Sequence, residues 1–308
     1  MDRNPIKAAL VIPVHNRKET TLQALRSLSR IDREGLHVRI FVVDDGSSDG
    51  TGEAISSLFP YVELIHGDGT LHYAAGTNRG IEAALKWLPD YIVTMNDDAV
   101  FHEQFLQNLI TTALNHPRSI VGSLLLLWSE PHKVFQIRPV WKTFSGGWVI
   151  PKDLTVFNVP QQPFEVECLV GNCVLFPVKA IEQCGLMDEK RFPNGWGDAQ
   201  YLMRMRKDGW NLFVDPKSYV WCEPNAYIDA LHTLRPLETL RILFLNEKHP
   251  ANLKRQFVAR WESAPTKLKA LSAFTVYLVS LIGKTLKYSL KNRVARRSND
   301  TTTTTGRP

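Results

Sequence analysis

Cysteine is scarce in this sequence: 308 residues hold four, Cys168, Cys173, Cys184 and Cys222. None of them forms the paired C-x-x-C spacing of a zinc site. The expectation is reduced, mostly buried thiols in a cytoplasmic protein, not a disulfide framework. Long apolar runs are missing too. The stretch ALSAFTVYLVSLIG at 270–283 has 14 residues, against the roughly 20 that a helix needs to span a bilayer. The first residues, MDRNPIKAALVIPV, lack the pattern of a secretory leader, because their apolar run is short and leads straight into a polar motif. There is no GxxxxGK(S/T) loop and no GxGxxG, which excludes the P-loop and the dinucleotide fingerprint. No internal repeat is visible.

What the chain does have is an uneven charge. From Lys248 onward 13 Lys and Arg face 2 Asp and Glu, so the total of +6 divides into +11 there and −5 over residues 1–247. A nucleic-acid binder is not expected to divide its charge this way; a local partner for the basic end is. Hydrophobic residues make up 44%, enough for the core of one large domain or two ordinary ones.

Along the chain, apolar runs alternate with helical spacing. Residues 8–14 (AALVIPV) read as a buried parallel strand that empties into His15-Asn16-Arg17. Leu22, Leu25 and Leu28 then share one helix face. A second strand over 38–43 ends in Asp44-Asp45-Gly46-Ser47, with Ser48 or Asp49 able to cap the next helix. A strand over 61–65, a Gly-rich loop, a small-residue helix over 74–85 and a strand over 91–95 lead to Asn96-Asp97-Asp98. This alternation indicates a parallel α/β sheet. Further strands are expected over 120–128, 134–159 and 165–176, a helix over 198–208, strands near 211–214 and 218–222, and helices through most of 236–291. Residues 298–308, with five successive threonines, are expected to be disordered.

The polar clusters share an address. Each follows the carboxyl end of a strand, the edge that forms the ligand crevice of an open α/β sheet. In VVDDGSSDGT (42–51), Asp45 is the candidate acceptor for an N–H of a nucleotide base, with Pro13 and His15 against that base. A cap and a tight turn would use the same residue types. The glycines at 67, 69, 76 and 80 allow close backbone approach to a ligand, or serve a tight strand–helix connection. Asp97 and Asp98 stand together at a buried strand exit, where their repulsion calls for a positive charge. Mg²⁺ or Mn²⁺, held by one or two carboxylates plus substrate phosphates, is the economical candidate, and a solvated turn the plainer one. Asp198 can cap a helix start or take the proton of an attacking hydroxyl. Trp196 beside it offers a flat face to a sugar ring or to the core.

Taken in order, VIPVHNR (11–17), VVDDGSSDGT (42–51), AAGTNRGI (74–81), NDDA (96–99), GNCVLFP (171–177) and GDAQYLMRMRKDGW (197–210) resemble the inverting, nucleotide-sugar-dependent glycosyltransferases of family 2, and within them a rhamnosyltransferase-like subset. The resemblance covers residues 6–225 or so. It implies a GT-A-type, Rossmann-like α/β sandwich with a mostly parallel central sheet, plus C-terminal helices. It implies that Pro13, His15 and Asp45 lie at the base, Gly76, Asn78 and Asp97 near the donor, and Asp98 on the metal. Asp198 matches the catalytic base, and Asn172, with Trp196, the region where donor sugar and acceptor meet. The implied reaction is displacement at the anomeric carbon with inversion, from a UDP- or dTDP-type sugar to a saccharide or lipid-linked acceptor, in bacterial cell-envelope polysaccharide synthesis.

The chain departs from the family pattern at Asn96, the first acid of DxD, and at Gly197 and Gln200, which flank the base. It has Cys222 where many members carry a metal-contacting His, with His232 as a substitute; a subset shares the Gly-Asp pair and a later Cys-x-x-Asn. The departures keep open a second reading, a non-catalytic nucleotide-sugar or saccharide binder. A sugar nucleotidyltransferase would want glycines beside Arg17 and Lys18, and they are absent.

The expected organisation is a catalytic domain over 1–235, a basic helical region over 236–297 and the tail. The 270–283 run is flanked by Lys267, Lys269, Lys284 and Lys287 and followed by Lys291, Arg293, Arg296 and Arg297. It is expected to lie in the membrane interface at the inner face of the plasma membrane, apolar side down. A helix packed on the catalytic domain is the alternative.

Overall fold

Runs of Val, Ile, Leu and Phe without polar alternation make strands covered on both faces. The computed structural model describes residues 4–137, 139–223, 236–246, 249 and 251–302. Its first such run is β1 (Ile6–Val14), followed by α1 (Lys18–Leu28), β2 (Leu36–Asp44), α2 (Thr51–Leu58), β3 (Glu63–His66), α3 (His72–Leu85) and β4 (Tyr91–Thr94). These strands are parallel, in the order β3-β2-β1-β4. The register sets Val14 beside Asp44 and Asp44 beside His66. β1, β2 and β3 therefore end in one row, and the loops behind them open on one sheet edge.

The chain continues as β5 (Val100–Phe101), α4 (Phe105–Asn115), β6 (Ser119–Leu127), β7 (Val134–Gln136), β8 (Val140–Lys142), β9 (Gly147–Val149), β10 (Phe164–Glu165), β11 (Val174–Pro177), α5 (Val178–Cys184), α6 (Gly197–Lys207) and β12 (Asn211–Cys222). β11 inserts antiparallel between β4 and β6, and β12 runs parallel to β6. β6 and β12 thus point the same way as β1–β4, and the ten-stranded sheet is mostly parallel. Successive side chains of β1 enter opposite layers. Leu10 and Ile12 pack with Leu22 and Leu25 of α1 and Phe105 and Leu109 of α4. Ala9 and Val11 pack with Ile81 of α3 and Tyr201 of α6.

Some elements differ from the periodicity reading. Residues 165–176 are not one strand: β10 and β11 are separated by an irregular stretch in which Cys173 takes a φ of 65°. Over 134–159 only β7, β8 and β9 are strands. β12 is one strand with a register shift between Asp215 and Tyr219. Pro216 has no N–H for the ladder, and Asp215 Oδ1 instead accepts from the N–H groups of Lys217 at 2.8 Å and Ser218 at 3.1 Å.

Residues 141–148 and 225–308 form a second compact unit. Its helices are α7 (Pro236–Phe244), α8 (Leu253–Ser263) and α9 (Lys267–Thr302). Arg260 is buried within it: Nε donates to Gly146 O at 2.7 Å, and the guanidinium lies 4.4 Å from the Tyr277 ring centre. Trp148 Nε1 donates to Ser263 Oγ at 3.1 Å. Leu268, Leu271, Val279 and Ile282 are exposed at helical spacing on α9, and Leu237, Leu240 and Phe244 on α7. Among the described residues no helix is long and apolar enough to cross a membrane. α9 runs through Thr302, into residues expected to be disordered; His232 and 303–308 lie outside the described residues.

Candidate active site

Where β1 ends, Asn16 adopts a left-handed φ of 53°. Its N–H donates to Ser47 Oγ at 2.9 Å and its Oδ1 accepts from Ser48 N–H at 2.7 Å, so the loops after β1 and β2 are tied together. His15 joins them: Nδ1–H donates to Asp45 O at 2.6 Å, and Nε2 accepts from Asn16 Nδ2 at 3.0 Å. A carbonyl only accepts, so this pairing assigns the proton to Nδ1.

The Asp45 carboxylate organises the glycine loop. Oδ1 accepts from Gly69 N–H at 2.8 Å and Oδ2 from His72 N–H at 3.1 Å. Each oxygen keeps a second lone pair for a further donor. Gly67 is required here, because a Cβ would lie 2.6 Å from Asp45 Oδ1. Pro13, His15 and Asp45 are thus brought to one corner of the sheet edge.

Gly76 and Asn78, expected near the donor, are both engaged in packing. Gly76 is buried against β1, where a Cβ would lie 3.1 Å from Pro13 Cβ, so its missing side chain serves helix–sheet contact. Asn78 is a buried residue of α3. Nδ2 donates to Met187 O at 2.9 Å and Glu189 Oε2 at 2.7 Å, while Oδ1 accepts from Met187 N–H at 2.9 Å. Its amide is taken up by the loop that follows α5.

The positive charge that the acidic cluster calls for is supplied inside the chain. Arg17 Nη1 lies 3.1 Å from Asp97 Oδ1 and Nη2 lies 2.8 Å from Asp98 Oδ2. Sequence reasoning did not single out Arg17 as a site residue. The available signal was its place at the end of β1, the strand hydrogen-bonded to β4. The acid side chains are 7% and 13% exposed, the arginine 41%. Asp97 Oδ2 and Asp98 Oδ1 are buried without a hydrogen-bond partner among the described residues. Burial pushes the Asp97 carboxyl up to about 6; Arg17 pulls it down and Asp98 pushes it further up. Burial, and then the Asp98 charge, pushes the Cys222 thiol up to about 12, so it stays protonated at neutral pH. Among the described residues no group of three or more His, Cys, Asp or Glu is arranged to hold a metal. Two unpartnered carboxylate oxygens nevertheless fit a divalent ion that takes its other ligands from a diphosphate.

Across the crevice, Gly195 and Trp196 take left-handed φ values of 65° and 63° just before α6. Trp196 is half-buried at the helix N-cap. Asp198 does not cap the helix; its Oδ2 accepts from Gly171 N–H at 3.0 Å. Gly171 O accepts from the Tyr73 hydroxyl at 3.4 Å. Burial raises the Tyr73 hydroxyl, and the negative charges of Asp198 and Asp98 raise it further. Tyr73, which sequence reading passed over, thus reaches through its hydroxyl the same Gly171 that holds Asp198. Its N–H donates to Asn194 Oδ1 at 3.3 Å, fastening the loop before Trp196 to α3. Asn172 is buried next to Gly171, with Oδ1 unpartnered among the described residues.

Comparison with known proteins gives the family and the fold. The family model described as "Glycosyl transferase family 2" matches residues 9–185. The N-acetylglucosaminyl-diphospho-decaprenol L-rhamnosyltransferase of Mycobacterium tuberculosis is 27% identical over an alignment of 204 residues that covers 59% of this chain and 66% of that protein. The chain therefore spans just under two thirds of that relative's length. An uncharacterized glycosyltransferase of Rickettsia conorii is 24% identical over 229 residues, 70% of this chain and 35% of the relative. GalNAc-T7, solved with UDP, GalNAc and Mn²⁺, superposes with a TM-score of 0.60 at 14% identity, covering 89% of this chain and 54% of the other. Residues 1–349 of S. aureus TarS superpose with a TM-score of 0.52 at 12% identity, covering 89% and 71%. These structural likenesses carry the fold, which is of GT-A type.

Proposed function

The chain belongs to glycosyl transferase family 2, and from that premise we propose that it is an inverting transferase that moves a sugar from a UDP- or dTDP-type donor to a hydroxyl of a saccharide or lipid-linked acceptor. The observation that carries this reading is the pair of acidic groups, Asp198 held by the Gly171 amide and Asp97–Asp98 paired with Arg17 at the end of β1.

Asp198 receives the proton of the acceptor hydroxyl as its oxygen attacks the anomeric carbon and the bond to the diphosphate oxygen breaks. The Gly171 N–H holds one carboxylate oxygen and leaves the other for that proton. The corner formed by Pro13, His15 and Asp45 receives the nucleotide base. Asn172 and Trp196 border the sugar and acceptor. Asp98, with Asp97 beside it, would hold Mg²⁺ or Mn²⁺ together with the donor's phosphates. When bound, that ion acts as a Lewis acid that offsets the charge developing on the departing diphosphate. The GalNAc-T7 structure, which contains UDP and Mn²⁺, supports the use of a divalent ion with the donor.

The M. tuberculosis relative is named for rhamnosyl transfer to N-acetylglucosaminyl-diphospho-decaprenol. That name supports a deoxyhexose donor and a lipid-linked acceptor here, and with them a role in cell-envelope polysaccharide synthesis. The exposed apolar stripe of α9, beside Lys267, Lys269 and Lys284, supports placement on the inner surface of the plasma membrane. The test is a thermal-shift screen of nucleoside diphosphates and nucleotide sugars with and without Mn²⁺, followed by transfer to a lipid-linked N-acetylglucosamine diphosphate. A metal-dependent rise of the midpoint for one base, with transfer, supports the reading. No shift with any nucleotide and no transfer would sink it.

A further inference from the structure

We propose that Arg17 is the resident counter-cation of the Asp97–Asp98 pair before the donor binds, that it gives up Asp98 to a metal–diphosphate complex when the donor binds, and that the freed guanidinium then takes a phosphate oxygen. This rests on the transferase reading of the site.

The geometry is that of a built clamp with a movable end. The Arg17 carbonyl is fixed at the start of α1, accepting from Thr21 N–H at 3.0 Å and from the hydroxyls of Thr20 at 3.0 Å and Thr21 at 2.8 Å. The guanidinium is far less confined than the acids it pairs with, 41% exposed against 7% and 13%. Each carboxylate gives one oxygen to Arg17 and keeps a buried, unpartnered one. A planar guanidinium has five N–H donors, so moving from one anion to another costs it no geometry.

Charge decides what can displace it. With both acids ionised, the cluster and Arg17 together carry a formal −1. A divalent ion alone would turn this to +1, whereas a divalent ion with a diphosphate diester leaves it at −1. Exchange therefore favours metal and diphosphate arriving together, and Arg17 opposes metal that arrives alone.

The experiment follows Mn²⁺ binding at pH 7.5 through the electron paramagnetic resonance signal of free Mn²⁺, without nucleotide and with UDP or dTDP. Arg17→Met is expected to bind Mn²⁺ alone at least tenfold tighter than wild type. Arg17→Lys, which keeps the charge but not the fork, should still oppose Mn²⁺ alone, and adding Asp98→Asn to Arg17→Met should remove the gain. Nucleotide affinity at saturating Mn²⁺ should fall at least tenfold in Arg17→Met. Should Arg17→Met not fold, Arg17→Gln, which keeps two donors, carries the same expectation. A folded variant that binds Mn²⁺ no tighter than wild type overturns the exchange. If wild type still transfers sugar in that case, the transferase reading stands; absence of any nucleotide binding by wild type overturns both.

Discussion

Gly171 and Asp198 are fitted to one another. The Gly171 amide donates to Asp198 Oδ2 at 3.0 Å, and a Cβ on residue 171 would lie 2.2 Å from Asp198 Cβ. Gly171→Ala therefore forces the carboxylate or its loop to move. Misplacing a reacting group by about 1 Å costs about 100-fold in rate. The variant is expected to lose at least that much kcat with nucleotide affinity retained. Steady-state kinetics showing a wild-type kcat would refute the fit.

Asp198→Asn keeps the shape of the side chain and removes its basicity. Nucleotide and Mn²⁺ should bind with little change, while transfer falls by about 100- to 10,000-fold, the usual worth of general-base catalysis. Calorimetry beside an activity assay checks both halves. Transfer at the wild-type rate would move the proton-accepting role to another group.

Asp97 makes a stability prediction with a definite sign. Its folded value of about 6 lies above the ordinary 3.8 because burial disfavours the charge. Between those values the native state holds more proton than the unfolded chain, so stability falls as pH rises through that window. Asp97→Asn removes this term. In metal-free protein its melting temperature, relative to wild type, should increase from pH 4.5 to pH 7.5. A difference that stays level across that range would mean that Arg17 fully offsets the burial.

Asn78 holds the loop after α5 through both backbone groups of Met187 and through Glu189. Asn78→Ala leaves the buried Met187 N–H unpaired, at a cost of about 1–3 kcal/mol. Chemical denaturation measures this directly, and an unchanged midpoint would show that the loop is held otherwise.

Val279 and Ile282 lie on the exposed apolar side of α9. Replacing both by Asp should leave the melting temperature in place and abolish pelleting with anionic vesicles. Pelleting equal to wild type would remove this stripe from any membrane role.

The parallel half of the sheet follows from the sequence because its signal is local. Continuous apolar runs such as AALVIPV alternate with helical spacing, and side chains of period two fill both layers. The same pattern puts His15, Asp45, Asp97 and Asp98 at strand ends, so the sheet edge that carries the site is determined before any coordinate is known. The break at 166–173 was not visible, because it exists to bring Gly171 against Asp198, 27 residues away. Nor was the grouping of 141–148 with the C-terminal helices, which depends on the buried Arg260 reaching Gly146.

Side-chain partnerships were likewise settled only by tertiary structure. The pairing of Arg17 with acids 80 and 81 residues away depends on β1 lying next to β4. Tyr73 joins the site because the start of α3 meets Asn194 and Gly171, 121 and 98 residues away along the chain. The partners of Gly76 and Asn78 follow from the faces of α3 that meet β1 and Met187. Periodicity determines which face of an element is buried. What that face meets is decided by sheet order and register, and these are long-range properties that no local stretch of sequence carries.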